Sequence, residues 1–262
     1  MSRGETIVDR TAWGRLRVSG SDRIRFLQGL TTVNVEGLAD GGHGWGSILS
    51  PKGRVLSVVN VAHIGDAFLI ACQPSLKDKT RALFEKYAVM DDVTFEDITG
   101  PAHQTWEDVL SVWRSPIVEG ANDHSRDENE PQVERLRILG GLPRYGVDVD
   151  EDHFPFETPL GQFLDYGKGC YVGQEPVFRV HAQGNAARTL RCLRIDGSEP
   201  IAAQAPIKHP AKDNAGVVTS SVVDGDAVLA LGYLHRSTWD IGGTVEIAGR
   251  KATVHELPWP EG

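Results

Sequence analysis

The chain has 262 residues, 40% of them hydrophobic, and a formal charge of −9. That length supplies one large domain or two ordinary ones with a real core. The acidic balance argues against a main task of gripping a phosphate backbone, which takes clustered Lys and Arg, and direct nucleic-acid binding is not expected.

In chain order, alternation in "WGRLRVSG" predicts a strand with Leu16 and Val18 on one face. "SDRIRFLQGL" predicts a short helix capped by Ser21, with Ile24, Phe26 and Leu27 inward and Gly29 closing it. "GWGSILSPKGRVLSVVNVAHIGDAFLIAC" predicts three strands, with turns at Pro51-Lys52-Gly53 and Gly65-Asp66. "SLKDKTRALFEKYAV" predicts a helix burying Leu76, Leu83, Tyr87 and Ala88, and "VTFEDIT" returns as a strand. The order points to an α+β layer with a mostly antiparallel sheet. Glu119 to Gln132 is polar and acidic, and reads as a solvated loop without catalytic meaning. "VERLRILGG" resumes as a short helix or strand ending at Gly140-Gly141. From Thr189 onward, short alternating runs separated by Asp224-Gly225 and Gly242-Gly243 predict a small all-β module, with a boundary near residue 190.

No apolar run is long enough to span a bilayer, so no membrane role is expected. The opening "MSRGETIVDRTAWG" has neither the apolar stretch of a secretory signal nor the acid-poor character of a transit peptide, and a cytoplasmic location follows as the expectation. Cys72, Cys170 and Cys192 are too few and too widely spaced for a disulfide framework, a C-x-x-C pair or an all-cysteine iron–sulfur site. Cys72 in "AFLIAC" and Cys192 in "LRCLRI" read as buried small residues. The histidines show no metal-ligand spacing, and His181 and His209 read as surface or capping residues.

Cys170 sits differently, in "DYGKGCYVGQEPVFR". Gly167, Gly169 and Gly173 weaken a helix there and Pro176 ends one, so the stretch reads as a shaped loop carrying a thiol. Within it, "KGCYVGQE" resembles the signature of the YgfZ family, folate-binding proteins related to the glycine-cleavage T-protein and linked to iron–sulfur enzyme maturation. "VSGSDRIRFLQGLTTVNV", "SPKGRVLSVVNV" and "GLPRYGVDVDEDHFPFE" resemble further segments of that family, and "RTLRCL" and "GVVTSS" suit its closing barrel. The resemblance implies an α+β fold: a ring-like, T-protein-like folate-binding unit of ferredoxin-like pieces over residues 1–190, then a small C-terminal β-barrel over 191–262. It departs from the T-protein branch at one strand, where "GRVLSVV" leaves Ser57 and Val58 in place of acids that orient the reacting nitrogen of folate. T-proteins also usually carry an aspartate and an aromatic where Cys170 and Tyr171 stand. A retained folate site with lost or altered aminomethyl transfer is therefore implied.

The resemblance also assigns candidate residues. Cys170 is either a reactive thiol favoured by Lys168 and Arg179, able to act as a nucleophile or hold a cluster transiently, or a small packing residue; the family context favours the first. Glu157 either reads the pteridine, because a carboxylate accepts from an amino group and a ring N–H side by side, or is an exposed loop acid; the family context favours the first. Tyr145 either stacks on that ring or fills an interface, with Arg144 as a further anion-binding candidate. Lys168 and Arg179 either attract the glutamate tail of folate or stand solvated. Gln174 and Glu175 either bind folate or fasten the loop to backbone amides, the second being favoured for Glu175. Gly169 and Gly173, with Tyr171, shape the turn.

The implied function is a protein binding tetrahydrofolate or a derivative, supporting iron–sulfur cluster assembly or repair in client enzymes and so affecting tRNA modification indirectly. Its partners would be iron–sulfur enzymes or cluster-assembly proteins. A folate-dependent aminomethyl transferase and a folate-binding scaffold with an inert cysteine are the alternatives.

Overall fold

The computed structural model describes residues 5–182, 184 and 186–259, the side chains at 181 and 182 excepted. β1 (Thr6–Asp9), β2 (Gly14–Ser19), α1 (Arg23–Leu30), β3 (His43–Leu49), β4 (Val55–Ile64), β5 (Ala67–Cys72), α2 (Lys77–Tyr87), β6 (Thr94–Asp97), β7 (Ala102–Trp106), α3 (Ser111–Arg114) and β8 (Ile117–Glu119) come first. α4 (Pro131–Gly140), two 3-10 turns (Pro155–Glu157 and Pro159–Phe163) and α5 (Gln174–Ala182) follow. β9 (Arg188–Asp196), β10 (Pro206–His209), β11 (Lys212–Asp224), β12 (Ala227–His235), β13 (Thr244–Ile247) and β14 (Arg250–His255) complete the chain.

The larger sheet is antiparallel in the order β3-β4-β5-β2-β6. Its register sets Leu16 opposite Ile70 and Ile70 opposite Val61, so one face is continuously apolar. Against the core stand Phe26 and Leu27 of α1 and Phe84 of α2, with Phe26 and Phe84 edge to face at 5.7 Å. The other face carries Trp45 opposite Asn60, and Trp45 meets Trp13 at 6.0 Å and Trp113 at 5.5 Å. A smaller sheet, β1-β7-β8, lies in the same α+β part. The last six strands close into a barrel in the order β10-β11-β12-β9-β14-β13, beginning at Arg188. Ile138 and Leu139 of α4 cluster with Leu190, Cys192, Leu229, Leu231 and Tyr233, which joins the barrel to the rest of the chain.

Several local expectations need correction. Ser21 does not cap α1; its hydroxyl donates to Asp92 at 2.7 Å, and Asp22 precedes the helix without a side-chain cap bond. Ile24 is exposed, and Gly29 lies inside the helix, which runs to Leu30 with Thr31 as its C-cap. In α2 the buried line is Thr80 and Phe84, while Leu83 and Tyr87 flank it half-buried. "VERLRILGG" is helical, closed by Gly141 at φ 72°. Cys72 and Cys192 are buried, as their apolar neighbours indicate. Among the described residues no helix is long and apolar enough to cross a membrane.

Residues 165–173 form a loop, as read, but Pro176 does not end a helix: α5 opens at Gln174. Pro176 is the third residue of α5, inside the first turn, where a missing N–H breaks no intrahelical bond. Gly173 just before it has φ +80° and touches the β3–β4 turn; a Cβ there would stand 2.3 Å from the Ser50 carbonyl oxygen. The two glycine-bearing motifs, "SPKGR" and "KGCYVGQE", are therefore packed against each other. Gly173→Ala combines a strained backbone with an overpacked contact, and should lower unfolding free energy by about 2 kcal/mol or more. The readout is a lower urea midpoint at unchanged slope.

Candidate functional site

The signature turn is built from its acid outward. One oxygen of Asp165 accepts the N–H groups of Gly167 at 2.8 Å and Lys168 at 3.1 Å, and the other accepts from Asn34 Nδ2 at 2.9 Å. The N–H of Gly167 does most to hold the Asp165 carboxyl below the usual carboxylate range. Lys168 then turns inward and is only 7% exposed. Its ammonium donates to the carbonyls of Thr31 and Val33, both at 2.6 Å, tying the turn to the chain after α1. Burial pushes the Lys168 ammonium down to about 8, with Asp165 and then Glu36 opposing. The same ammonium lies 5.0 Å from the ring centre of Tyr171, which is itself buried. Val172 N–H donates to the Gly29 carbonyl at 3.0 Å. Between these anchored points Gly169 and Cys170 are exposed, and a Cβ on Gly169 would meet nothing within 4 Å.

A second site lies where β1, β7, α4 and the segment after it converge. There a cavity of about 250 Å³ is walled by Trp13, Trp106, Val133, Leu142, Arg10, Glu128, Arg144 and Tyr145, among others. Arg10 is buried, with its guanidinium carbon 4.4 Å from the ring centre of Trp13 and 5.1 Å from that of Trp106. It donates to Gln104 Oε1 at 3.1 and 3.3 Å and to Glu128 Oε2 at 2.9 Å. Burial pushes Arg10 down to about 10, with Glu128 the main opposing charge, so it stays cationic at neutral pH. Trp13 Nε1 donates to the same Glu128 oxygen at 3.0 Å, leaving Oε1 as an acceptor. Arg144 is half-buried at the rim, its guanidinium 2.9 Å from Glu134 and 3.0 Å from the Glu128 carbonyl. Gln73 holds the adjoining segment, accepting the Tyr145 N–H at 2.8 Å and donating to the Pro143 carbonyl at 2.7 Å.

No family model matches the chain. It is 33% identical over 233 residues to the tRNA-modifying protein YgfZ of Hamiltonella defensa, an alignment covering 72% of this chain and 69% of that protein. The chain belongs to the YgfZ family. A second YgfZ protein, from Serratia proteamaculans, is 25% identical over 72% of this chain and 70% of its own. Among solved structures, the glycine cleavage system aminomethyltransferase T of Bartonella henselae matches with a TM-score of 0.84 at 17% identity, covering 98% of this chain and 87% of that one. The expected T-protein-like fold with a closing barrel is thus the observed one.

In this YgfZ chain the candidate residues divide. Tyr145 and Arg144 line the cavity together. Tyr145 accepts from Lys79 Nζ at 2.7 Å through its hydroxyl and has its ring face 4.8 Å from that ammonium. Glu157 does not line the cavity: its Oε2 accepts the Phe154 N–H at 3.0 Å and its Oε1 meets Arg188 Nε at 3.3 Å, beside the first barrel strand. Lys168, Gln174 and Arg179 are also absent from its walls. Arg179 instead pairs with Glu175 one helical turn away at 3.0 Å, both exposed. Lys168 faces two carbonyls of the chain after α1, so its ammonium is taken up in fastening the turn. Gly173 has the positive φ and close contact its role requires, whereas Gly169 has neither. The side chain of His181 lies outside the described residues, and His209 Nδ1 accepts the Ala211 N–H at 3.1 Å.

Sequence reasoning missed Arg10, Trp13, Gln73, Gln104 and Glu128. The pair "DRTAW" carried a weak signal, since Arg and Trp together often form a stacked pair. Glu128 carried none, because it stands in the acidic segment read as solvated; its carboxylate reaches inward while its neighbours face water.

Lys168→Met would leave two buried carbonyls without their donor and should destabilise by about 1–3 kcal/mol. Below about 8 the folded and unfolded chains both hold the Lys168 proton; from there to its ordinary 10.5 only the unfolded chain does. The contribution of this residue to stability therefore rises with pH through that window. Urea titrations of both proteins between pH 7 and pH 10 should show the parent gaining on the variant.

Proposed function

We propose that the cavity between Trp13 and Arg144 binds a reduced folate, and that the chain supports iron–sulfur cluster assembly or repair in client enzymes through Cys170. An effect on tRNA modification would run through those clients, in keeping with the name of the YgfZ relatives. The observation that carries the folate reading is the wall chemistry: indole faces, one acceptor oxygen of Glu128 and a rim guanidinium around one partly open cavity. A pteridine offers a flat face to the indoles and adjacent N–H donors to a carboxylate, and its glutamate tail offers an anion to Arg144. At about 250 Å³ the space lies just under the ~300 Å³ lower end of small-molecule sites, so it suits the bicyclic head with the tail at the rim.

Arg144→Gln should weaken tetrahydrofolate binding by about 1.5–3 kcal/mol, the scale of a hydrogen bond to a charged group. Glu157→Gln, outside the cavity, should leave the affinity within about 0.5 kcal/mol of the parent. Isothermal titration calorimetry measures both, and the reverse ranking would move the pteridine to Glu157.

Aminomethyl transfer is less well supported. Ser57 is buried with its hydroxyl 2.7 Å from Thr80 Oγ1, and Val58 is buried and apolar. Neither residue supplies the charge that stabilises a developing cation on nitrogen. Tetrahydrofolate-dependent turnover of an aminomethylated carrier is expected to be absent.

Cys170 is exposed on a turn pinned by Lys168 on one side and Val172 on the other, a placement open to a partner's persulfide or cluster. Cys170→Ala should leave folate affinity unchanged and lower the activity of iron–sulfur enzymes in cells. Full activity would support the inert-cysteine scaffold instead.

A further inference from the structure

Asp148 is fully buried, at 0% exposure, and its two oxygens serve different parts of the molecule. Oδ2 belongs to the cavity: it accepts from Arg137 Nη1 at 2.7 Å and from the backbone N–H of Arg144 at 2.9 Å. Oδ1 belongs to the barrel: it accepts from the hydroxyls of Thr219 and, at 2.7 Å, Ser220. The Asp148 carbonyl is held by the barrel as well, through Tyr233 OH at 2.8 Å.

Two neighbouring residues of a regular strand point to opposite faces, so Thr219 and Ser220 cannot both reach one oxygen without a break in the pleat. The break is present. Along β11 the pairing passes from Val218–Gly232 to Ser220–Leu231, which leaves Thr219 without a partner as the extra residue of a bulge. Bulges re-aim side chains, and this one turns two consecutive hydroxyls onto the same carboxylate. Neutral donors suit the place: they saturate Oδ1 without a second cation to compete with Arg137. Arg137 is already clamped to Glu134 at 2.7 and 2.8 Å, and Arg144 bridges to Glu134 at 2.9 Å.

We propose that Asp148 is a positioning residue through which the β11 bulge of the barrel sets Arg144 at the rim of the cavity, and with it the preference for a ligand bearing an anionic tail. This inference rests on the folate reading given above. It adds that the barrel is part of the ligand site, although none of its residues lines the cavity.

The test compares the parent, the double variant Thr219→Val/Ser220→Ala and the conservative variant Thr219→Ser. Each is titrated with tetrahydrofolate and with 6-methyltetrahydropterin, which lacks the p-aminobenzoyl-glutamate tail. The double variant should lose about tenfold in affinity for tetrahydrofolate, and Thr219→Ser should keep it. Affinity for the tailless pterin should stay at the parent's level. Equal losses for both ligands, or no loss for either, would overturn the proposal. Amide hydrogen exchange needs no ligand: in the double variant the Arg144 N–H should lose protection while the β4 amides keep theirs. If the parent binds neither ligand, the folate reading fails, and the exchange result alone decides the positioning role. Unchanged protection at Arg144 then ends it.

Discussion

A carboxylate removed from water has to be saturated by donors, because an unpaired buried charge costs several kcal/mol. Asp148 meets that demand with a guanidinium, a backbone N–H and two hydroxyls, taken from α4, the segment after it and β11. Each of those donors is thereby held in place. The helix bearing Arg137 docks on the barrel, the Arg144 segment is drawn across the cavity rim, and the bulge in β11 acquires a reason. Apolar contacts between α4 and the barrel supply the bulk of the junction, while the carboxylate fixes its register.

The signature stretch works by a similar division of labour. Its lysine satisfies carbonyls of the chain after α1, its tyrosine fills the core, and its last glycine lets the turn sit on the β3–β4 hairpin. What remains outside is Cys170. A thiol held between anchored points is presented in a constant position, which suits contact with another molecule better than a thiol on a loose loop. The inward turn of Lys168 separates two roles that proximity in sequence had merged: the cation is a fastening and the sulfur is the exposed group.

Net charge describes this molecule poorly at short range. A chain with a formal charge of −9 gathers Arg10, Arg137 and Arg144 around a single cavity. Arg10 and Arg137 are neutralised by carboxylates and locked by hydrogen bonds, so they shape the walls. Arg144 also pairs with Glu134, but it is half-buried and more exposed than the other two, which makes it the guanidinium best placed to meet an incoming anion.

Period and turn chemistry were enough to read the antiparallel sheet, the two longer helices before the acidic segment and the closing all-β module, because hydrophobic alternation and glycine-bearing turns act over a few residues. "KGCYVGQE" likewise pointed to the family and to an exposed thiol. Which way a side chain faces at an irregular position depends on partners far away in sequence, and there local reading failed. Lys168 turns inward because carbonyls 135 and 137 residues earlier lie beneath it. Glu128 leaves its acidic neighbours because Arg10, 118 residues away, is buried and takes its carboxylate as an ion-pair partner. Glu157 faces Arg188 instead of the cavity because the barrel docks beside its turn. Local pattern determined the elements and the signature; the desolvation of charges, which only tertiary packing imposes, decided which residues share a site.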